Sequence, residues 1–259
     1  MGSATREALA GARAALTAQD GLATGTQLFQ AARVIGDSAQ LRAALADPSG
    51  DPAAKAAIIG AVFSSLSEST QGLLSTIVGS RWSTHDDLMA GIEEIGIRAV
   101  ASSAPAGTSI EEEIFAFGSA VSSNAELELA VGSKLGSAGA KSQLITRLLK
   151  TKASEQTLVI VEHLVQQPRG RRIGELVRYA ASIVADQAGL VVATVVSATA
   201  LSSAQLNRLR AGLAQAYGRE LQLNLVLDPL IIGGVRVQIG DDVIDGSVST
   251  RITDLRLQL

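Results

Sequence analysis

Up to about residue 187 the apolar positions recur with the helical period. Ile58, Ile59, Val62, Phe63 and Leu66 form one stripe, and Leu73, Leu74, Ile77 and Val78 a second. Leu88, Ile92 and Ile95 form a third, and Leu176, Val177, Ala180, Ile183 and Val184 a last. Each is a single apolar face on an otherwise polar helix, the pattern of a bundle. The breaks fall on turn chemistry at Asp47-Pro48-Ser49-Gly50-Asp51-Pro52, Ser102-Ser103-Ala104-Pro105-Ala106-Gly107 and Gln167-Pro168-Arg169-Gly170. After residue 189 the period shortens to two. Leu190 to Val196 reads as a strand, Ser202-Ser203-Ala204-Gln205 as a capping box, and Leu206, Leu209, Leu213 and Tyr217 as a helix ending near Gly218. Leu221, Leu223, Leu225 and Leu227 then alternate with polar residues, as do Val235, Val237 and Ile239. Gly240-Asp241-Asp242 predicts a hairpin into Val243-Ile244, and a short helix is expected from about Ser249 to Leu257. The fold class is mainly α with a small α+β tail.

The helical part repeats itself at a spacing of 86 residues. Phe29 matches Phe115, Ala39 Ala125, Leu41 Leu127, Gly50 Gly136, Lys55 Lys141 and Ile59 Ile145. Leu73-Leu74 falls on Val159-Ile160, and a slip of about one residue then aligns the last helix of each copy. The expected organisation is a first helical unit at 1–105, a duplicate at 106–187 and an α+β domain at 190–259.

Composition narrows the chemistry. The 259 residues are 47% hydrophobic and 18% charged with positive mean hydropathy, which excludes a mostly disordered chain. No cysteine is present, so disulfides, thiolate metal sites and thiol catalysis are excluded. The smoothest apolar run, Ala188 to Val196, is too short for a bilayer span of about 20 residues. With no apolar signal-peptide core near Arg6, Glu7 and Arg13, the chain reads as soluble, meeting any membrane through a partner. Residues 1–133 carry 7 Lys/Arg against 15 Asp/Glu, a net of −8, while 134–259 carry a net of +5. That asymmetry fits either a protein held between different partners or plain solvated helix faces.

No stretch assembles a catalytic, cofactor or metal site. Gly136-Ser137-Ala138-Gly139-Ala140-Lys141-Ser142 approaches a phosphate loop, but Ala140 stands where a glycine is needed before the lysine. Thr84-His85-Asp86-Asp87 offers a histidine and two carboxylates, yet neighbours on a helix do not converge on one ion, so a cap and an acidic first turn are expected. His163 aligns with Ile77 and reads as a core or groove residue; Trp82 either packs or lines a groove. Lys134 to Arg178 holds nine Lys/Arg against three acids with only Tyr179 nearby, which points to an acidic protein partner or solvation rather than nucleic acid.

Leu227 to Val248 carries the most specific pattern. Asp228-Pro229 leads to Ile231-Ile232 and Gly233-Gly234. An alternating strand, Gly240-Asp241 and Ile244-Asp245-Gly246-Ser247-Val248 follow. With Arg251, Leu255 and the preceding Ser202 to Leu213 helix, this run resembles the C-terminal signature of the F-type ATP synthase delta subunit family, whose mitochondrial branch is the oligomycin-sensitivity-conferring protein. The chain is longer than the usual member by about one helical repeat, and in this it resembles the actinobacterial form with duplicated bundle helices.

The resemblance implies a non-catalytic stator subunit, peripheral on the cytoplasmic face of a bacterial plasma membrane. Its helical bundle would grip the N-terminal helix of an alpha subunit, its tail the end of the b stalk, both by helix-in-groove contacts. No cofactor is implied, and the signature residues Asp228, Gly233, Gly234, Gly240, Asp241, Asp245, Gly246 and Ser247 would be structural. The alternative class is a helical scaffold that binds amphipathic helices outside ATP synthase.

Overall fold

The computed structural model describes residues 2–132, 137–229, 231, 233–240 and 242–246. The expected helix at 249–257 lies outside the described residues, as do Lys134, Gly136, Ile232, Asp241, Ser247, Val248, Arg251 and Leu255. Two compact units divide the chain, Met1–Val184 and Ala185–Leu259.

The first unit is helical throughout: α1 (Ser3–Ala15), α2 (Leu22–Asp37), α3 (Ala39–Ala46), α4 (Pro52–Val62), α5 (Glu68–Gly79), α6 (His85–Ser102), α7 (Ile110–Ser122), α8 (Ala125–Gly132), α9 (Ala138–Leu149), α10 (Glu155–Gln166) and α11 (Ile173–Gln187), the last running into the second unit. Side-chain caps start many of them, because the first turn of a helix leaves backbone N–H groups without partners. Ser38 accepts from the Leu41 N–H, Asp51 from Ala53 and Ala54, Ser67 from Thr70, Thr84 from Asp87, Ser137 from Ala140 and Ser154 from Thr157.

The helices enclose two cores. Leu9 of α1, Leu28 and Ile35 of α2, Leu45, Ile59, Leu74, Ile77 and the α6 residues Leu88, Ile92 and Ile95 build the first. Ile97 and Val100 of the same α6 enter the second, with Ile114, Phe117, Ile145, Ile160, Leu164, Leu176 and Val177. α6 therefore closes both bundles, and from Gly91 to Val100 every residue is buried. A helix apolar on one face needs one partner layer; Ile92-Glu93-Glu94-Ile95-Gly96-Ile97 has two. The first bundle is completed by α1, and α6 supplies that same closure to the second.

The spacing seen in the sequence recurs in individual hydrogen bonds. Gln27 Oε1 accepts from the Ser67 N–H and hydroxyl at 2.9 and 3.0 Å, and Glu113, 86 residues on, accepts from the same groups of Ser154 at 2.9 and 2.6 Å. Ser38 caps Leu41 as Asn124 caps Leu127. The caps also correct the register. Ser67 and Ser154 are 87 apart, so the slip comes before α5 and α10, not after them. Leu73 and Leu74 then correspond to Ile160 and Val161, all four buried, and His163 corresponds to Thr76 rather than to Ile77. Thr76 is exposed, whereas His163 is buried because its face of α10 turns toward α2 and α6.

The second unit carries β1 (Val191–Ser197), α12 (Ser203–Tyr217), β2 (Leu221–Leu227), β3 (Val235–Ile239) and β4 (Asp242–Asp245). The sheet order is β2-β1-β3-β4, with β1 parallel to β2 and antiparallel to β3, and β3 antiparallel to β4. Ala193 lies opposite Leu223 and Ile239, and Val195 opposite Leu225 and Val237, so the alternation seen in sequence stacks one apolar face. Leu213 packs onto that face with Leu221, Leu223, Val237 and Ile239. The capping box forms as expected, with Ser202 and Gln205 reciprocally bonded, and Gly218 ends the helix at φ 65°.

Candidate partner-docking sites

The sequence stretches that suggested chemistry resolve into architecture. Thr84 caps α6, and Asp87 accepts a 2.9 Å hydrogen bond from the Thr5 hydroxyl, so this acid ties α1 to α6. Ser137 is an ordinary helix cap, and Lys141 is buried in α9 as its repeat mate Lys55 is in α4, where Nζ donates to the Val78 carbonyl at 3.1 Å. Trp82 packs: it is 4% exposed, and its indole N–H donates to the Ile77 carbonyl at 2.8 Å. No group of three or more His, Cys, Asp or Glu placed to hold a metal occurs among the described residues. No helix among them is long and apolar enough to cross a membrane.

The described signature residues lie at turns and strand ends of the second unit. Asp228 donates its N–H to the Ser197 carbonyl at 2.9 Å, and its own carbonyl accepts from Ile231 at 3.2 Å, which turns the chain at the end of β2. Gly233 and Gly234 have φ of 67° and 77°, the left-handed region that side chains resist. Gly240 takes φ 58° between β3 and β4. A Cβ on Gly246 would come within 3.1 Å of the Val235 carbonyl oxygen, to which Gly246 donates its N–H. Asp245 ends β4 opposite Arg236.

Openings with apolar walls lie on each unit. A groove of about 460 Å³ on the second bundle runs between α8 and the start of α11, walled by Leu129, Val131, Leu164, Ile173 and Leu176 and by the Pro168–Arg172 loop. Leu129 is 74% exposed at its rim. On the second unit a cleft of about 430 Å³ is lined by Leu201, Leu209, Leu213 and Val235. Leu225 and Leu227 continue the apolar face of β2 but stand exposed.

The sequence reading missed a buried ionic cluster where the two bundles meet. Glu93 of α6 accepts from Arg171 at 2.7 and 3.0 Å and pairs with Arg169 at 2.9 Å. His163 Nε2 lies 3.4 Å from Glu93, within reach of charge attraction but not aligned as a hydrogen bond, and its ring stacks on Phe29 of α2 at 4.0 Å. Burial raises the Glu93 pKa, but His163, Arg169 and Arg171 outweigh it and hold it at about 2. Burial lowers the His163 pKa against the pull of Glu93. Tyr179, under the Arg171 guanidinium, is pushed up by burial and by Glu94 and Glu93. Next door, Glu94 pairs with Arg13 at 2.6 Å and Arg98 at 2.8 Å. The available signal was two acids inside a run with no polar face.

Comparison with known proteins agrees along the whole chain. A family model described as ATP synthase delta (OSCP) subunit matches residues 97–259. The ATP synthase subunit delta of Leifsonia xyli subsp. xyli is 54% identical over 262 residues, covering 100% of this chain and 99% of that one. Those of Nocardia farcinica, at 38% over 99% and 96%, and Streptomyces griseus subsp. griseus, at 36% over 98% and 97%, are similar too.

Proposed function

The chain belongs to the ATP synthase delta (OSCP) family, and we propose that it ties the catalytic head of a proton-translocating F-type ATP synthase to the b-subunit stalk, on the cytoplasmic face of the plasma membrane. The end-to-end identity of 54% to an ATP synthase subunit delta carries this reading. The subunit is non-catalytic. Its task in this reading is mechanical: it holds the head still against rotor torque, so that proton flow drives synthesis.

Two contacts are required. The helical unit receives the N-terminal helix of alpha, and the tail receives the C-terminal end of b. An apolar groove on each unit supports this division, since an amphipathic helix docks by placing a few apolar anchors in such a groove. We also read residues 1–105 and 106–187 as copies of one helical unit. Because α6 closes both bundles, completeness does not favour the first copy for alpha. The family match begins at residue 97, inside α6, and favours the second copy.

The test is titration of synthetic alpha and b terminal peptides into the full chain and two variants. Leu129→Glu should weaken the alpha peptide about tenfold and Leu201→Glu, in the cleft of the second unit, the b peptide by a similar factor, each sparing the other, as loss of one apolar anchor implies. Wild-type alpha affinity in Leu129→Glu moves that site to the first bundle. Failure of both peptides to bind the parent chain would overturn the stator reading, and equal affinity for unrelated amphipathic helices would replace it with a general helical scaffold.

A further inference from the structure

We propose that the Pro168–Arg172 loop is a releasable strap that locks the second helical bundle onto the first through Glu93. The inference concerns the helical unit alone and does not rest on the stator reading.

One carboxylate gathers the ionic part of the connection. Glu93 sits on α6 with 1% of its surface exposed, and among the described residues its close partners come from α10 or the α10–α11 loop: His163, Arg169 and Arg171. An ionised carboxylate cannot stay in a dry seam without such partners, so the closed seam and the seated loop require each other.

The loop that delivers the guanidiniums is held in an unfavourable shape. Arg169 has φ 46°, the sole non-glycine residue with positive φ among those described, and Gly170 follows at φ 78°. A side-chain-bearing residue resists this region, so the conformation persists because the Glu93 contacts hold it. The other side of the loop is open: Pro168, Gly170, Arg171 and Arg172 wall the 460 Å³ groove. The strap therefore has space to leave its seat.

The seam itself stores a cost that opening would relieve. His163 is 2% exposed, and neither ring nitrogen makes a hydrogen bond; the Tyr179 hydroxyl is also buried without one. Opening would hydrate all three atoms. The second core takes Phe29 of α2 and Ile97 and Val100 of α6, so the second bundle can shift against α6 but does not part from it. The seam then has two states in this proposal: strap seated and rigid, or strap released with α7 to α11 loosened against α6.

The chain has no cysteine, so a Ser65→Cys/Lys150→Cys pair, both on exposed positions, labels one site in each bundle. Spin-label distances are measured on the full chain with helicity followed in parallel. Glu93→Gln should broaden the distribution and shift it to longer distances at unchanged helicity. Arg169→Ala/Arg171→Ala, on partly exposed side chains, should do the same and decides the matter if Glu93→Gln loses helical signal. Arg172→Ala, in the same loop but away from Glu93, should leave the parent distribution. A parent-like distribution in the double arginine variant, or equal broadening in Arg172→Ala, would overturn the proposal.

Discussion

Glu93 and Glu94 are adjacent, both almost fully buried, and they hold opposite neighbours: Glu94 takes Arg13 of α1 and Arg98 of its own helix, Glu93 takes Arg169 and Arg171 of the second bundle. Successive side chains leave a helix about 100° apart, so one pair of acids serves two interfaces. Each carboxylate carries two guanidiniums, which keeps both ionised groups compensated inside α6.

Removing the Glu93 charge strands Arg169 and Arg171 at the seam. Those side chains keep 22% and 28% exposure, so water recovers part of the loss. Glu93→Gln should cost about 2–3 kcal/mol, below the range for a fully buried pair. Urea unfolding of parent and variant checks this, and equal midpoints would refute it.

Acid should loosen the helical unit in two stages. His163 has its folded pKa below the ordinary 6.5, so as pH falls past 6.5 the unfolded chain binds a proton that the folded chain refuses, and stability drops. Glu93, at about 2 against an ordinary 4.5, adds a loss that begins below 4.5 and is complete only near 2. Thermal melts of parent and His163→Leu between pH 7 and 5 isolate the first stage. The variant should show the shallower slope there; identical slopes would contradict it.

Two glycines of helices should respond to alanine with opposite signs. A Cβ on Gly25 of α2 would sit 2.7 Å from the Gly96 carbonyl oxygen of α6 and against Val100, backbone that cannot step aside. Gly25→Ala should cost about 1–3 kcal/mol by forcing the helices apart. Gly11 of α1 has nothing within 4 Å of the same position, so Gly11→Ala should gain up to about 1 kcal/mol. Denaturation midpoints decide both.

In the tail, Gly233→Val and Gly234→Val should each cost about 1–3 kcal/mol, since φ of 67° and 77° are strained for a β-branched residue. Midpoints equal to the parent's for both variants would show that the turn re-forms without strain.

Much of this was legible in advance because it is local. The Ser202–Gln205 box, the Gly218 stop, the alternation of β1 to β3 and the cap at the start of α6 each depend on a few residues and the backbone beside them. The register of the repeat was less so: apolar pairs match at several offsets, and only the Ser67 and Ser154 caps with Gln27 and Glu113 place the slip before α5 and α10.

What the sequence determined by itself was the mainly helical class with its small α+β tail, the change of period that separates the two, and the signature by which the family is known. Those follow from short-range chemistry that survives in any tertiary setting. Only the tertiary structure decided that α6 closes two cores, that His163 leaves the exposed role of Thr76 for a stack on Phe29, and that Glu93 meets two arginines more than 70 residues away. A charge in a helical stripe reads the same whether it ends in water or in a seam; what it costs, and what must pair with it, depends on which helices come to rest against it.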